Sequence, residues 1–375
     1  MRVLLLGGGL QGLSFGESLK AKGVVVDVIS DELQIRKSRF FGEVYAENPL
    51  SLEVLYRILE GKRYDVLVPM SDMTTSSLSK NQVYLEERFG VKSACPSTEL
   101  LSIVEDKSRF MDFCETNGIP HPITVNLGNN DIKEGLSKSA VFPALIKPNF
   151  SVGARGITRV DSVQELQEKL PEIVERFGPC TLQEFIDNQE YYYNVMLYRN
   201  KHGKLLAHTI IKIVRMYPVS AGSSSCCVTV EDDRLLKICQ DCLDKLNWVG
   251  MTDFDVLQRL DTKEYKVIEI NPRVPASLRA AFISGVNFPE IIVRDVLGMK
   301  IPKNEYVSGK TLRYMGIDIM WFLKSRNRLK KSPSWFHFFG KNIYYQDIYK
   351  KDPSTWWTWL IEGIGKLKTR NKRIR

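Results

Sequence analysis

Over its first quarter the chain alternates short apolar runs with stretches of helical period. Val3–Leu6 is an apolar run followed by three glycines, Leu10–Lys22 carries a helical pattern, and Val24–Ile29 is rich in β-branched residues. The alternation continues with a helix over Leu50–Glu60, a strand ending at Val66–Pro69 and a helix over Val83–Phe89. Strands alternating with helices predict an α/β unit over residues 1–95 with a doubly wound parallel sheet. Ligands of such sheets sit beyond the carboxyl ends of the strands. Gly7–Gly12, Ser30–Asp31 and Ser71–Asp72 fall there, which makes Gly9, Ser71 and Asp72 candidate substrate contacts.

Further along, Thr98–Gly118 reads as two short helices, stopped by Pro120 and Pro122. The pattern from Val141 to Leu182 is strand, Gly-rich loop, strand, helix, strand, the outline of a small mobile lid within residues 122–182. Residues 189 to 302 predict a larger α+β unit. It holds a helix near Asp232–Leu246, a hairpin turning at Asp261–Glu264 and a helix over Ala276–Ser284. Residues 96–302 thus read as one domain and 303–375 as a basic, Trp-rich extension.

Composition narrows the function classes. No apolar run approaches the eighteen or so residues needed to span a bilayer, and the N-terminal run is too short for a signal-peptide core. The expectation is a cytoplasmic protein. The seven cysteines are an odd count without a disulfide framework. Cys239 and Cys242 form a CxxC inside a helical pattern with no histidine nearby, which reads as incidental thiols rather than zinc ligands. The net charge of +9 is unevenly placed. Residues 324–375 hold 14 Lys/Arg and 3 Asp/Glu, so the body is near neutral and the tail carries the excess. That argues against a general nucleic-acid binder and for a basic appendage.

Three segments carry chemistry. Asp255 is followed fourteen residues later by Glu269-Ile270-Asn271-Pro272-Arg273. Side chains alternate along a strand, so Glu269 and Asn271 share a face, and the turn at 261–264 brings Asp255 alongside Glu269. Two carboxylates and an amide oxygen suit a hard divalent cation such as Mg2+ or Mn2+, with the remaining positions taken by phosphates and water. Arg273 follows on the same face, where its fork suits a phosphoryl oxygen. The second segment is Lys147-Pro148-Asn149-Phe150-Ser151-Val152-Gly153-Ala154-Arg155-Gly156. An apolar strand delivers a lysine to a loop whose glycines let backbone amides approach phosphate. The third is Leu182-Gln183-Glu184-Phe185-Ile186 and then Glu190, a strand ending in a linker that suits a purine base and a ribose.

In this order the three segments resemble the ATP-grasp superfamily. The similarity is to the branch with the carbamoyl-phosphate synthase large subunit and amino-acid ligases, D-aspartate ligase-like enzymes among them. The resemblance covers roughly residues 1–300. It implies a pre-ATP-grasp N-terminal domain followed by a two-lobed ATP-grasp fold that holds ATP between lid and sheet. It further implies that Lys107 and Lys147 touch phosphates and that Ser151, Gly153, Arg155 and Gly156 belong to the phosphate loop. Glu184, Phe185 and Ile186 would hold adenine through the backbone, and Glu190 the ribose. Asp255, Glu269 and Asn271 would bind the metal, and Arg273 would stabilise the transferring phosphoryl group. Arg215 lies near a phosphate-contacting base of relatives, and Arg279 is a candidate for a substrate carboxylate. The activity implied is joining a small-molecule carboxylate to an amine through an acylphosphate. A homodimer is compatible with the family.

Other readings compete. Gly7-x-Gly9-x-x-Gly12 after a strand, with Asp31 after the second, matches a dinucleotide fingerprint and allows an NAD-dependent oxidoreductase. A non-catalytic ATP-binding sensor on a ligase scaffold is a third reading. The tail holds five of the six tryptophans. Trp357, Leu360, Ile361, Ile364 and Leu367 form one stripe beside Lys366, Lys368 and Arg370, a pattern suited to the inner face of an anionic membrane. That would fit synthesis of cell-surface polysaccharides or amino-acid conjugates. The simpler expectation is that the tryptophans pack on the enzyme's own body.

Overall fold

A computed structural model describes residues 1–93, 95–128, 141–151, 155–188, 191–219 and 222–355. The tail stripe from Trp357 onward, Gly153 and Glu190 lie outside the described residues.

The N-terminal unit runs β1 (Arg2–Leu6), α1 (Gly9–Lys20), β2 (Val25–Ile29), α2 (Leu33–Lys37), β3 (Val44–Tyr45), α3 (Leu52–Gly61), β4 (Val66–Pro69), α4 (Asp72–Phe89) and β5 (Lys92–Ser93). Its sheet is parallel in the order β3-β2-β1-β4-β5. Strand β4, and β1 from Val3 onward, are apolar because both faces are covered. The helix expected over Val83–Phe89 starts eleven residues earlier, at Asp72. Ser71 and Thr74 form a reciprocal capping box. That cap offsets the poor helix propensity of the Thr74–Ser77 stretch.

Helices α5 (Thr98–Val104) and α6 (Lys107–Thr116) lead to the lid: β6 (Thr124–Gly128), β7 (Ala144–Pro148), β8 (Thr158–Val160), α7 (Val163–Phe177) and β9 (Cys180–Glu184). The lid sheet is ordered β6-β9-β7-β8, and its pairs are antiparallel.

The third unit is a seven-stranded sheet. Its elements are β10 (Tyr192–Arg199), β11 (Leu205–Tyr217), β12 (Ser223–Val230), α8 (Asp233–Leu246), β13 (Gly250–Gln258), β14 (Tyr265–Asn271), α9 (Leu278–Ile283), α10 (Phe288–Val296), β15 (Thr311–Arg313), α11 (Met315–Lys324) and β16 (Ile343–Tyr345). The order is β14-β13-β10-β11-β12-β15-β16. Cys239 and Cys242 are buried free thiols on the inner face of α8, as their helical spacing suggests.

The extension is not a loose appendage. β15 and β16 continue the large sheet, and Asp318 of α11 is fully buried there. Trp321 is buried with the Arg215 guanidinium over its ring, so it packs on the body, while Trp335 stacks on Phe322 within the extension, ring centroids 4.1 Å apart. Further on, Tyr349 is buried against the N-terminal unit, its hydroxyl 3.1 Å from Ser14 Oγ. One apolar core runs from β1 and β2 through α1, α9 and α10 to Met196 and Ile213 of the large sheet. The N-terminal unit and the large sheet therefore share a core, while the lid has its own around Ile146, Leu166 and Leu182. None of the described helices is long and apolar enough to cross a membrane.

Candidate active site

The β13–β14 hairpin sets the site by register. Asp255 pairs with Glu269 and Asp253 with Asn271, with a bulge after Asp255. Directly opposed residues on one face have Cβ atoms about 4.5–5.5 Å apart. Four oxygen-bearing side chains therefore gather on one patch. On the other side, Asn194 of β10 pairs with Asp255, and its amide donates to the Asp255 carboxylate. Asn271 is fixed by its own amide, which donates to the carbonyl of Asp253 at 3.3 Å.

The lysines reach this patch from two other elements. Asp106 caps α6, accepting from the Ser108 amide at 2.9 Å, and so orients Lys107 at the first helical position. The Lys107 ammonium donates to the Ser151 carbonyl at 2.7 Å and lies 3.4 Å from Glu269 Oε1. Lys107 thus bridges the lid loop and the acidic hairpin. Lys147, at the end of β7, is buried and donates to Gln183 Oε1 at 2.5 Å. Its burial pushes the ammonium pKa down to about 8, with Glu269 opposing and Lys107 assisting the shift.

Carboxylate crowding dominates the electrostatics. Burial, then Asp253 and Glu269, hold the Asp255 carboxyl well above its ordinary range, against Arg273 and the Asn194 hydrogen bond. Burial also raises Asp253, to about 7; Arg273 opposes this while Asp72 and Glu269 add to it. Negative groups forced together in low dielectric resist ionisation until a cation arrives. The donors are all hard oxygens, which fits Mg2+ or Mn2+. Among the described residues no three His, Cys, Asp or Glu groups form a self-sufficient metal cage. An ion here would rest on Asp255, Glu269 and the Asn271 amide, with phosphate oxygens and water completing its shell.

Arg273 follows the hairpin. Its Nε lies 3.1 Å from Asp72 Oδ1, and its fork donates to Asn271 Oδ1 at 3.3 Å. A cleft of 590 Å³ opens beside it, lined among others by Asp72, Lys80, Lys107, Phe150, Glu269 and Asn271. It joins α4 of the N-terminal unit to the acidic hairpin.

The remaining residues named from sequence fall into two groups. In the lid, Ser151 Oγ donates to the Pro148 carbonyl at 3.2 Å. Gly156 has φ +75°, and a Cβ there would meet Pro148 and Phe177 at 2.8–2.9 Å, so glycine is required. Arg155 is exposed and borders a second hollow on the lid with Lys169 and Arg176. The amides of Glu184 and Phe185 donate to the carbonyls of Ile123 (2.8 Å) and Pro143 (2.9 Å). Of the linker amides named for a base, that leaves Ile186. The Glu184 carboxylate pairs with Arg259 and accepts from the Ile123 amide at 3.1 Å.

The other group serves the fold. Arg215 does not face the phosphate side. It is fully buried and grips Asp318 at 2.7 and 3.1 Å, with its last branch on the Pro333 carbonyl at 2.7 Å. All its donating branches are engaged, which removes it as a candidate catalytic residue. Arg279 donates to the carbonyls of Tyr345 (2.6 Å) and Ile348 (2.9 Å) and lies over the Tyr349 ring at 4.1 Å. It ties the extension to the body instead of offering its fork to a carboxylate. Ser71 is committed to capping α4, accepting from the Thr74 amide at 3.2 Å. Gly9 has φ +74° and its amide donates to Glu32 Oε2 at 3.1 Å. A carboxylate thus already sits at the N-terminus of α1, where a dinucleotide pyrophosphate would bind. This weighs against the oxidoreductase reading.

Sequence reasoning passed over three residues of the patch. Asp253 stands two positions before Asp255, so period-2 alternation alone places it on the same face. Gln183 and Asn194, which hold Lys147 and Asp255, carry no local signature.

Comparison with known proteins agrees with this architecture. Residues 104–277 match the model of the ATP-grasp domain. The chain is 25% identical over 275 residues to the C-terminal section of the carbamoyl phosphate synthase large chain of Methanopyrus kandleri, covering 68% of this chain and 48% of that protein. The N-terminal section of the same enzyme is 24% identical over 286 residues, covering 72% and 50%. The chain thus spans about half the length of these relatives. Among solved structures, a biotin carboxylase–β,γ-ATP complex from Campylobacter jejuni aligns with a TM-score of 0.67 at 17% identity, covering 82% of this chain and 73% of that one. N5-carboxyaminoimidazole ribonucleotide synthetase from Thermotoga maritima aligns with a TM-score of 0.61 at 20% identity, covering 81% and 78%. The Staphylococcus aureus N5-carboxyaminoimidazole synthetase complexed with ADP aligns with a TM-score of 0.66 at 14% identity, covering 83% and 80%.

Proposed function

We propose that the ATP-grasp domain carried by residues 104–277 makes this chain an ATP- and Mg2+-dependent ligase that activates a carboxylate as its acylphosphate and joins it to an amine. The observation that carries the reading is the meeting of Asp255, Glu269 and Asn271 with Lys107, which itself holds the lid loop at Ser151. Oxygen ligands on one side and an ammonium on the other suit a triphosphate with its metal and leave little for any other ligand class.

A bound Mg2+ would neutralise phosphate charge at Asp255, Glu269 and Asn271. Lys107 and Lys147 supply further positive charge at the nucleotide phosphates. Arg273 leaves Asp72 for the transferring phosphoryl group, whose charge spreads over its equatorial oxygens. Lys147–Ser151 and Arg155–Gly156 stand on the edge of the lid that keeps water from the acylphosphate. The γ-phosphoryl passes to the substrate carboxylate and ADP leaves. The amine then attacks the acyl carbon, and the C–O bond to phosphate breaks. Positioning and charge neutralisation suffice, so no nucleophilic side chain is needed. A role in cell-surface polysaccharide or amino-acid conjugate synthesis, a cytoplasmic place beside the membrane, and a division near residue 95 complete the reading.

The test is ADP release over pairs of amino acids, sugar acids and bicarbonate, run with and without hydroxylamine. Magnesium-dependent ADP formation that needs a carboxylate, with hydroxamate formed when hydroxylamine is present, supports an acylphosphate. ADP release independent of any carboxylate, or none at all, contradicts it.

A further inference from the structure

The inner end of the cleft is more acidic than the proposed chemistry needs. Asp72, in the first turn of α4, lies 3.1 Å from the Arg273 Nε as an ion pair, yet among the described residues that same Oδ1 is buried with no hydrogen-bond donor. Asp253 is 5% exposed, and its Oδ1 is likewise buried without a donor among the described residues. The two carboxylates come from different units of the fold. Asp72 lines the cleft itself, while Asp253 shares the strand face of Glu269 and Asn271, which also line it. Asp255 and Glu269 are taken up by the metal, and Lys107 by phosphate. Arg273 is the cation whose field reaches both Asp72 and Asp253. When Arg273 turns to the phosphoryl group, both carboxylates lose it. Asp253 is buried and Asp72 half-buried with its Oδ1 covered, and a covered carboxylate oxygen without a counter-charge is costly. A cation arriving at that moment restores the balance.

We propose that Asp72 and Asp253 receive the amine substrate as an ammonium ion, so that the enzyme selects amines that carry a positive charge at neutral pH. This rests on the ligase reading of the same site. The nitrogen is then held between α4 and the end of the acidic hairpin, beside the acyl carbon made reactive by phosphorylation. One ammonium proton first passes to the carboxylate of Asp72 or Asp253, which frees the nitrogen lone pair; the N–C bond then forms and the C–O bond to phosphate breaks. The nitrogen sheds two of its three ammonium protons, which balance on the departing group as dihydrogenphosphate. Arg273 thereby couples the two half-reactions: it covers the amine site until the phosphoryl group draws it away.

Hydroxylamine is largely uncharged at neutral pH and does not need an ammonium site. The test is the ratio of kcat/KM for a charged amine to that for hydroxylamine, with the same carboxylate. L- and D-amino acids serve as the amine panel. In Asp72→Asn and in Asp253→Asn that ratio falls about tenfold or more, the size expected for losing a charged hydrogen bond. Asp72→Glu, which keeps the charge, retains most of the ratio. An unchanged ratio in both asparagine variants overturns the proposal, whatever happens to the overall rate. So does an equal loss in Asp72→Glu and Asp72→Asn. If the unaltered enzyme forms no hydroxamate with any carboxylate, the ligase reading itself falls and takes this inference with it.

Discussion

Two groups of buried charge sit on the same seven-stranded sheet and are built in opposite ways. Around Asp318 the hydrogen bonds are matched, with two guanidiniums sharing one carboxylate. Arg215 grips it with two branches, Arg313 adds bonds of 2.9 and 2.8 Å, and Ser225 donates at 3.2 Å. The spare branches of the two arginines end on the carbonyls of Pro333 and His337. At the β13–β14 edge, Asp253, Asp255 and Glu269 crowd together, and among the described residues a carboxylate oxygen of Asp253 has no donor. One group has its hydrogen bonds filled within the chain; the other leaves a buried acceptor open among the described residues. Buried charge by itself therefore does not mark a site, since a satisfied cluster can be purely structural. An unmatched cluster, open to a cleft, is where a ligand belongs.

The contrast is sharpest under substitution. Asp318→Asn leaves two buried guanidiniums without their counter-charge, which should cost about 3–5 kcal/mol of stability. Urea unfolding of the variant measures this directly. A loss below roughly 1 kcal/mol, the range of exposed pairs, would show that the cluster is less matched than its hydrogen bonds imply.

A smaller effect, opposite in kind, is expected at Asp253. Its folded pKa of about 7 lies above the unfolded value of about 3.9. Stability tied to this group is then full below the unfolded value and is lost as pH rises through the folded one. Melting temperature without ligand should fall between about pH 4 and 7, and Asp253→Asn should flatten part of that slope. A slope of the same size in the variant would place the titration elsewhere. The pH dependence of Asp318→Asn supplies the control, because that site lies outside the crowded hairpin.

The two regions also differed in how far the sequence disclosed them. The acidic hairpin was legible because its chemistry is local: period-2 alternation and one turn bring Asp255 onto Glu269. The parallel N-terminal sheet was legible for the same reason, each apolar run being one strand between helices. Arg215 was not legible. A basic residue on a strand looks the same whether it points at phosphate or at an acid 103 residues away. Strands β15 and β16, three residues each, are too short to show any period, so the extension read as an appendage. Its attachment through Asp318, Arg279 and Tyr349 depends on long-range pairs that no short window contains. The early start of α4 was hidden by a Ser/Thr-rich stretch whose propensity argues against helix until its cap is seen.

We propose that a metal–nucleotide complex completes the unmatched hairpin. The most direct measurement is the thermal shift produced by Mg2+ with a non-hydrolysable ATP analogue, in the unaltered chain and in Glu269→Gln. Clear stabilisation of the unaltered chain is expected, about 2.7 kcal/mol at a hundredfold excess over Kd, requiring both components and largely lost in the variant. Equal stabilisation of both proteins, or stabilisation by the analogue that is indifferent to Mg2+, would contradict it.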